Sequence, residues 1–355
     1  MGSDSSSLQS HRPTGRAVVA ASLRFFTAVS VSLLCSAVFN NYLVGGYATP
    51  SAFMLLVCDL RTDLPGRLQG LVIAAVSIAA SECLGNLLFL HPYGKWLVLI
   101  LSGFGVSLLS FAEKYWWLIG KMSLVCFMTS LFTYRPEASA AAGFVLGALL
   151  AALCIAVDAW VWKSEALGER PMDQILKILA GDRNPIGYAA VSALCLAAAL
   201  LTAEVFGLHE IGWIGLSFVY LMNTKISVGF ARVLERVAGT FLGYLFCMKI
   251  YTVSEHLPVL AALICIVALL LPYFIVKSYF AANFLITSFI LLMLHWMLAA
   301  AGGDRGILEW RFWDTVYGAV WAMIGMTLCA MPPLVRNFRR VLVGRMRRHI
   351  KRILG

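Results

Sequence analysis

The 355-residue sequence has few charged residues, and this shortage excludes an ordinary soluble domain. Only 13% of the residues are Asp, Glu, Lys or Arg, whereas 61% are hydrophobic, far from the composition of soluble proteins. The mean hydropathy is +0.83. The apolar residues are concentrated in runs of about 20, the length that a helix needs to cross a hydrocarbon core about 30 Å thick. The sequence therefore predicts an all-α, polytopic membrane protein.

Several chemical motifs are also missing from the sequence. No G-x-x-x-x-G-K-[ST] phosphate loop occurs, so we do not expect this chain to hydrolyse ATP. No HExxH motif or paired Cys/His spacing occurs, so we expect no metal and no other cofactor. The nine cysteines form no CxxC pair and lie in or beside apolar runs, which is typical of reduced packing residues. No nucleophile with an adjacent base is visible, so we expect no enzyme activity.

Twelve apolar runs are the candidate membrane spans. The first 16 residues are polar and show no cleavage signal, so we expect the first run to remain as an anchor. Two runs, 47–58 and 211–223, look too short to cross comfortably. If both cross, nearly all Lys and Arg residues and both termini are cytoplasmic, as the positive-inside rule favours. The long runs lie at about 20–42, 67–89, 94–112, 115–132, 139–162, 187–207, 234–251, 257–275, 279–299 and 312–333.

The twelve spans divide into two six-span halves with the same orientation, and their sequences are related. When the first half is aligned with the second at a constant shift in residue number, Arg67-x-x-Gly70 aligns with Arg236-x-x-Gly239. Residues 140–147 match 311–318 when that shift is changed slightly. We therefore expect two parallel repeats, each with one short broken segment. The predicted parts are a cytoplasmic polar tail (1–16), repeat 1 (17–163), a cytoplasmic linker (164–186), repeat 2 (187–334) and a basic amphipathic cytoplasmic tail (335–355).

Paired short segments at matching positions of two repeats indicate a substrate site. An arginine behind such a segment can anchor the helix to lipid headgroups, or it can turn inward and hold an anion. Aromatic rings within the short segments can stack on an aromatic substrate or simply pack in the core. The candidate residues for binding the substrate anion are Arg67, Arg236, Gly70, Gly239, Phe53, Phe218 and Tyr220.

Ionisable residues inside spans are candidates for carrying protons, because a charge in the membrane is costly. The candidates are Glu82, Glu204, His209 and His295. Each also has a structural interpretation: Glu82 as a carboxyl near the outer interface, Glu204 and His209 at a solvated loop, and His295 as a hydrogen-bonded packing residue. Lys121 is expected to extend its amine to the inner membrane surface.

Three stretches in the second half resemble the fusaric acid resistance and aromatic acid exporter superfamily: "RVLERVAGTFLGY" (232–244), "GWIGLSFVYLM" (212–222) and "YFAANFLITSFILLML" (279–294). The resemblance implies export of aromatic or other amphiphilic carboxylic acids across a bacterial inner membrane, driven by the proton gradient, often with a periplasmic adaptor protein. The plant malate channel family is similar more distantly, and that resemblance implies passive conduction of anions.

The sequence thus predicts an exporter of organic, most often aromatic, carboxylates. Two alternatives stay open: a passive anion channel with the same architecture, and a membrane assembly subunit that transports nothing. The expected partners are a small organic anion, membrane lipids, a periplasmic adaptor and further copies of the chain. The basic charge is concentrated in the C-terminal tail, which favours the anionic leaflet of a membrane over nucleic acid.

Overall fold

A computed structural model of the protein describes residues 15–59, 63–110, 114–132, 138–162, 186–208, 210–222, 226–253, 256–301 and 307–331. These residues form twelve helices and no strand, which confirms the predicted all-helical fold. The predicted linker and both tails fall almost entirely outside them. The first half contains α1 (Gly15–Val38), α2 (Tyr42–Val57), α3 (Leu64–Phe89), α4 (Pro92–Leu109), α5 (Lys114–Phe132) and α6 (Ala138–Trp162). The second half contains α7 (Ile186–Val205), α8 (Ile211–Leu221), α9 (Ile226–Val253), α10 (Leu257–Lys277), α11 (Tyr279–Ala301) and α12 (Ile307–Ala330).

Seven of these helices, namely α1, α3, α5, α6, α7, α10 and α11, are long and apolar enough to cross a membrane. Helices α2, α4 and α8 are apolar but shorter. With 11 residues, α8 is about 16 Å long, roughly half the thickness of the hydrocarbon core. Helices α9 and α12 are as long as the seven but are not apolar enough to be counted with them. The twelve predicted segments are therefore all helical but differ in their capacity to span.

The short segments are continuous helices, so the prediction that they are broken was wrong. Pro50 lies inside α2 and does not interrupt it, because a proline removes one intrahelical hydrogen bond and here the flanking turns persist. Asn41 caps the start of α2 with a side-chain bond from the Val44 N–H. Asn40 adopts a left-handed φ of 48° in the turn before it. The sharp turn between α1 and α2 therefore comes from the Asn pair and not from Pro50.

The helix contacts have the same pattern in both halves. Within each half the second helix packs on the sixth, and the third packs on the fifth. Between the halves, α1 packs on α10 as α4 packs on α7, and α2 packs on α11 as α5 packs on α8. Reciprocal pairs of this kind are what two parallel repeats around an approximate twofold axis produce. Each short helix therefore contacts the fifth helix of the opposite half.

Close backbone contact fixes the second helix against the sixth in each half. A Cβ built at Gly147 on α6 would lie 2.5 Å from the carbonyl oxygen of Ala48, and one at Gly318 on α12 would lie 2.5 Å from that of Ile214. No larger residue fits at either position without moving a helix backbone, which is the role of small residues in membrane helix packing. The short helices are thus held rigidly on the sixth helices.

Candidate functional site

The first half neutralises its buried arginine with acidic residues. Arg67 is 2% exposed, and its Nε and Nη2 donate to the two carboxylate oxygens of Asp59 at 2.9 and 2.6 Å. Its Nη1 lies 2.8 Å from Asp158 Oδ2, and Arg24 Nη1 also donates to Asp59 Oδ2. We call Arg24, Asp59, Arg67 and Asp158 the ion-pair network. Two cations and two anions balance there, so Arg67 has no guanidinium nitrogen left for a substrate.

The second half buries its arginine without an acid. Arg236 is 6% exposed; its Nη1 donates to Asn283 Oδ1 at 3.2 Å, and its Nε has no acceptor among the described residues. At the offset that pairs the two arginines, Val228 stands in place of Asp59. In the alignment of the two halves that pairs Gly147 with Gly318, the residue that corresponds to Asp158 is Cys329. The two arginines are therefore not equivalent.

A second buried cation lies beside Arg236. Lys121 on α5 is 3% exposed, and its Nζ has no hydrogen-bond acceptor in the described part of the chain. The Nζ lies 4.0 Å from the Trp117 ring centroid and 5.1 Å from that of Tyr220. The guanidinium of Arg236 lies 5.5 Å from the same Tyr220 ring. Lys121, Arg236, Tyr220 and Trp117 form what we call the cation cluster.

The electrostatics of the cation cluster favour an anion. The neighbouring charges that act on Lys121 are those of Arg236 and Arg232, and both are positive. One turn before Asn283, the buried hydroxyl of Tyr279 also has no hydrogen-bond partner among the described residues. Buried donors without acceptors cost about 1–3 kcal/mol each, and more when charged. An anion that accepts from these donors would remove that cost.

A narrow cavity reaches Lys121 between the two halves. Its lining comes from α4, α5, α7 and α8 and includes Ser107, Tyr188, Ser192 and Phe218. Ser107 Oγ and Ser192 Oγ are 3.0 Å apart, so a hydrogen bond joins α4 to α7 across the cavity wall. The cavity therefore offers hydroxyl groups and an aromatic ring next to a buried amine.

The family comparison covers the half that carries Arg236. Residues 196–325 match the family described as Fusaric acid resistance protein-like. This confirms the resemblance seen in the sequence. A search of the curated proteins and of the solved structures finds no match. Together with the seven helices that are long and apolar enough to span, the match indicates a multi-pass membrane protein.

The segment that matches the Fusaric acid resistance protein-like family holds Tyr220, Phe218, Arg236 and Gly239. Phe218 is 1% exposed and packs in the core beside the cavity. Gly239 brings α9 against α11, because a Cβ there would lie 2.7 Å from the Phe280 carbonyl oxygen. Its role in the structure is close packing.

The predicted residues of the first half lie in other surroundings. Phe53 stacks on Phe289 of α11, with ring centroids 5.5 Å apart, and meets Phe25 edge-on. The Gly70 carbonyl accepts a 2.6 Å hydrogen bond from Tyr115 on α5. These contacts join helices within the core, and neither residue lies with Arg236.

The three proton-carrying candidates that lie within the described residues are dispersed. Glu82 is half-buried on α3. The carboxylate of Glu204 is 2.5 Å from Lys95 Nζ and 40% exposed, so it forms a surface ion pair. His295 stacks on the Tyr251 ring with centroids 4.1 Å apart. His209 lies outside the described residues.

Sequence reasoning missed the cation cluster because it placed the Lys121 amine at the membrane surface. The structure corrects this expectation, since the amine lies under Trp117 and Tyr220. The one sequence signal was the position of Lys121, a full turn inside an apolar run after Trp117. Asp59 and Asp158 carried a clearer signal, because each has an uncharged counterpart in the second half.

Proposed function

We propose that the protein is a transporter that exports organic, mainly aromatic, carboxylates, and that the cation cluster binds the carboxylate. The observation that carries this proposal is the pair of buried cations, Lys121 and Arg236, held against one tyrosine ring without an acid. The description of the matching family refers to resistance to an acid, which supports the same class of substrate.

The aromatic rings of the cluster favour a substrate with a flat apolar part. Trp117 and Tyr220 are half-buried, and a flat substrate that packs beside them would bury further aromatic surface. Offset and edge-on ring pairs contribute about 0.5–1.5 kcal/mol beyond the area they bury. A benzoate-like anion would therefore satisfy both the amine and the rings.

Arg67 has a structural role in this proposal. It holds α3 to the end of α2 and to α6 through Asp59 and Asp158. The substrate would pass beside the second half, where Arg236 lies, and not symmetrically between the two arginines.

The direction of transport rests on the predicted orientation, in which the ends of α4 and α5 near Lys121 face the cytoplasm. We further propose that export is coupled to the proton gradient, with Glu82 as the first residue to test. In the structure Glu204 is engaged by Lys95 and His295 is stacked on Tyr251. A bacterial inner-membrane location, a periplasmic adaptor and self-association belong to the same proposal.

The test is efflux of labelled hydroxybenzoate from proteoliposomes with and without an imposed pH gradient. Arg236→Gln should reduce efflux at least tenfold, since a charge-assisted hydrogen bond contributes about 1.5–3 kcal/mol. Arg236→Lys should recover part of it, because ammonium meets a carboxylate as a point charge. Lys249→Gln, which removes an exposed cation from the same helix, is the matched control and should transport normally.

Three outcomes would decide against parts of this function. Normal efflux from Arg236→Gln at equal abundance would show that the cation cluster does not bind substrate. Efflux that ignores the pH gradient but follows the membrane potential would identify the passive channel. No movement of any carboxylate by the wild-type protein would favour the assembly subunit.

A further inference from the structure

A second buried arginine lies against an aromatic ring at the other end of α8. Arg311 on α12 is 4% exposed, and its guanidinium carbon is 3.8 Å from the centroid of the Trp213 ring. Its Nε and Nη1 have no hydrogen-bond acceptor among the described residues. Stacking on the indole stabilises the flat face of the guanidinium, but it supplies no acceptor for Nε and Nη1.

Trp213 and Tyr220 share one face of α8. They are seven residues apart, so the two rings lie one above the other with an axial separation of about 10 Å. Between them Ser217 is fully buried, and its hydroxyl has no hydrogen-bond partner within the described chain. The Arg236 guanidinium lies over the Tyr220 ring, and the Arg311 guanidinium lies over the Trp213 ring. This face of α8 therefore presents two rings, each contacted by an arginine of another helix, with a buried hydroxyl between them.

The first half has no such arrangement at the corresponding place. The alignment of 140–147 with 311–318 puts Ala140 in place of Arg311 and Gly143 in place of Asp314. A Cβ at Gly143 would lie 2.7 Å from the Val44 carbonyl oxygen, so no side chain of the size of Asp314 fits there in the first half. The polar face is specific to the second half, the same half in which Arg236 lacks an acid.

Arg311 differs from Arg236 in having acidic groups nearby. The charges that act on Arg311 are those of Asp314 on its own helix, Glu210 before α8, and Arg236 on α9. Asp314 is 3% exposed, and its Oδ2 has no hydrogen-bond donor in the described residues. A substrate carboxylate near Arg311 would therefore compete with Asp314 for the same guanidinium.

We propose that Arg311 and Trp213 form a second, outer binding site for the aromatic carboxylate, and that Asp314 competes with the bound anion for Arg311. This inference rests on the proposed function and adds a second binding site to the transport path. An anion released from the cation cluster would next bind at Arg311, where the charge of Asp314 weakens its binding. A proton on Asp314 removes that competition and prolongs occupancy of the outer site.

Intrinsic fluorescence can separate the two sites, because each has its own tryptophan. Benzoate is titrated into the full-length protein in a neutral maltoside detergent, using wild type, Trp117→Phe, Trp213→Phe and Trp313→Phe. Trp313 is exposed on α12, so its replacement is the matched control. The Trp117 and Trp213 replacements should each remove one component of the benzoate response, and the control should remove none.

Arginine and aspartate variants then assign the charges. Arg311→Gln should weaken the Trp213 component about 10- to 100-fold and leave the Trp117 component in place. Asp314→Asn should strengthen the Trp213 component several-fold and reduce its dependence on pH. Arg311→Lys should bind between wild type and Arg311→Gln, so a folding defect in one variant does not decide the result.

Each of the other possible results of these titrations refutes one particular part of the proposal. A Trp117 response without any Trp213 component refutes the outer site and leaves the proposed function standing. Absence of both components refutes the proposed function. A Trp213 response to added phosphatidylglycerol but not to benzoate makes the outer site a headgroup pocket, which also refutes its place on the substrate path. Unchanged binding in Asp314→Asn refutes the competition.

Discussion

Replacing Lys121 by Met should stabilise the protein and at the same time remove its response to the substrate. Met has a similar length and places a thioether where the amine now lies against Trp117 and Tyr220. The variant removes a buried donor group that has no acceptor among the described residues. An evolved binding site can retain such a cost when a ligand offsets it.

The expected change in the free energy of unfolding follows from two opposing contributions. An unpartnered buried polar group costs about 1–3 kcal/mol, and more when charged. Contact of the amine with the rings offsets about 0.5–1 kcal/mol of this cost. We therefore expect Lys121→Met to raise the free energy of unfolding by about 1–2 kcal/mol, which is roughly 2–4 °C in melting temperature.

Thermal unfolding in detergent, with and without benzoate, measures both effects. A ligand at a hundred times its dissociation constant stabilises the wild type by about 2.7 kcal/mol, and Lys121→Met should lose most of this increment. Lys249→Met, at an exposed position of α9, controls for the loss of one positive charge. A lower melting temperature for Lys121→Met without ligand, or a full benzoate response, would refute the reasoning.

Three further predictions concern the scaffold. Arg67→Gln should destabilise the protein by about 3–5 kcal/mol, because it leaves the carboxylates of the ion-pair network without their principal cation; thermal unfolding without ligand should show the loss, and an unchanged melting temperature would contradict it. Gly239→Ala should cost about 1–3 kcal/mol by forcing α9 away from α11, whereas Ala at Gly105, where a Cβ meets nothing within 4 Å, should be tolerated. A reporter in the linker 164–186 should be cytoplasmic and one in 133–137 should lie on the opposite side; the reverse result would invert the predicted orientation.

Local sequence was sufficient to predict the helices and their arrangement in two halves. Apolar runs of membrane-spanning length require helices, because the backbone must satisfy its own hydrogen bonds in lipid. The repeat of Arg-x-x-Gly behind two short segments placed Arg67 and Arg236 at corresponding positions, and the family match covers the second of them. The segments predicted to be broken are continuous helices, and Pro50 lies inside one of them, since a proline removes one hydrogen bond but does not decide whether the helix ends.

Only the tertiary structure determines which buried charges have an oppositely charged partner. Asp59 follows the end of α2 and Asp158 lies on α6, and nothing in their spacing shows that both reach Arg67. Lys121 and Arg236 likewise lie on helices of opposite halves, and only the packing of α5 on α8 brings them to one ring of Tyr220. Sequence periodicity reports which face of a helix is apolar, whereas the partner of a buried charge depends on how separate helices pack. For that reason the arginines could be found in the sequence, but the partners that each of them contacts could not.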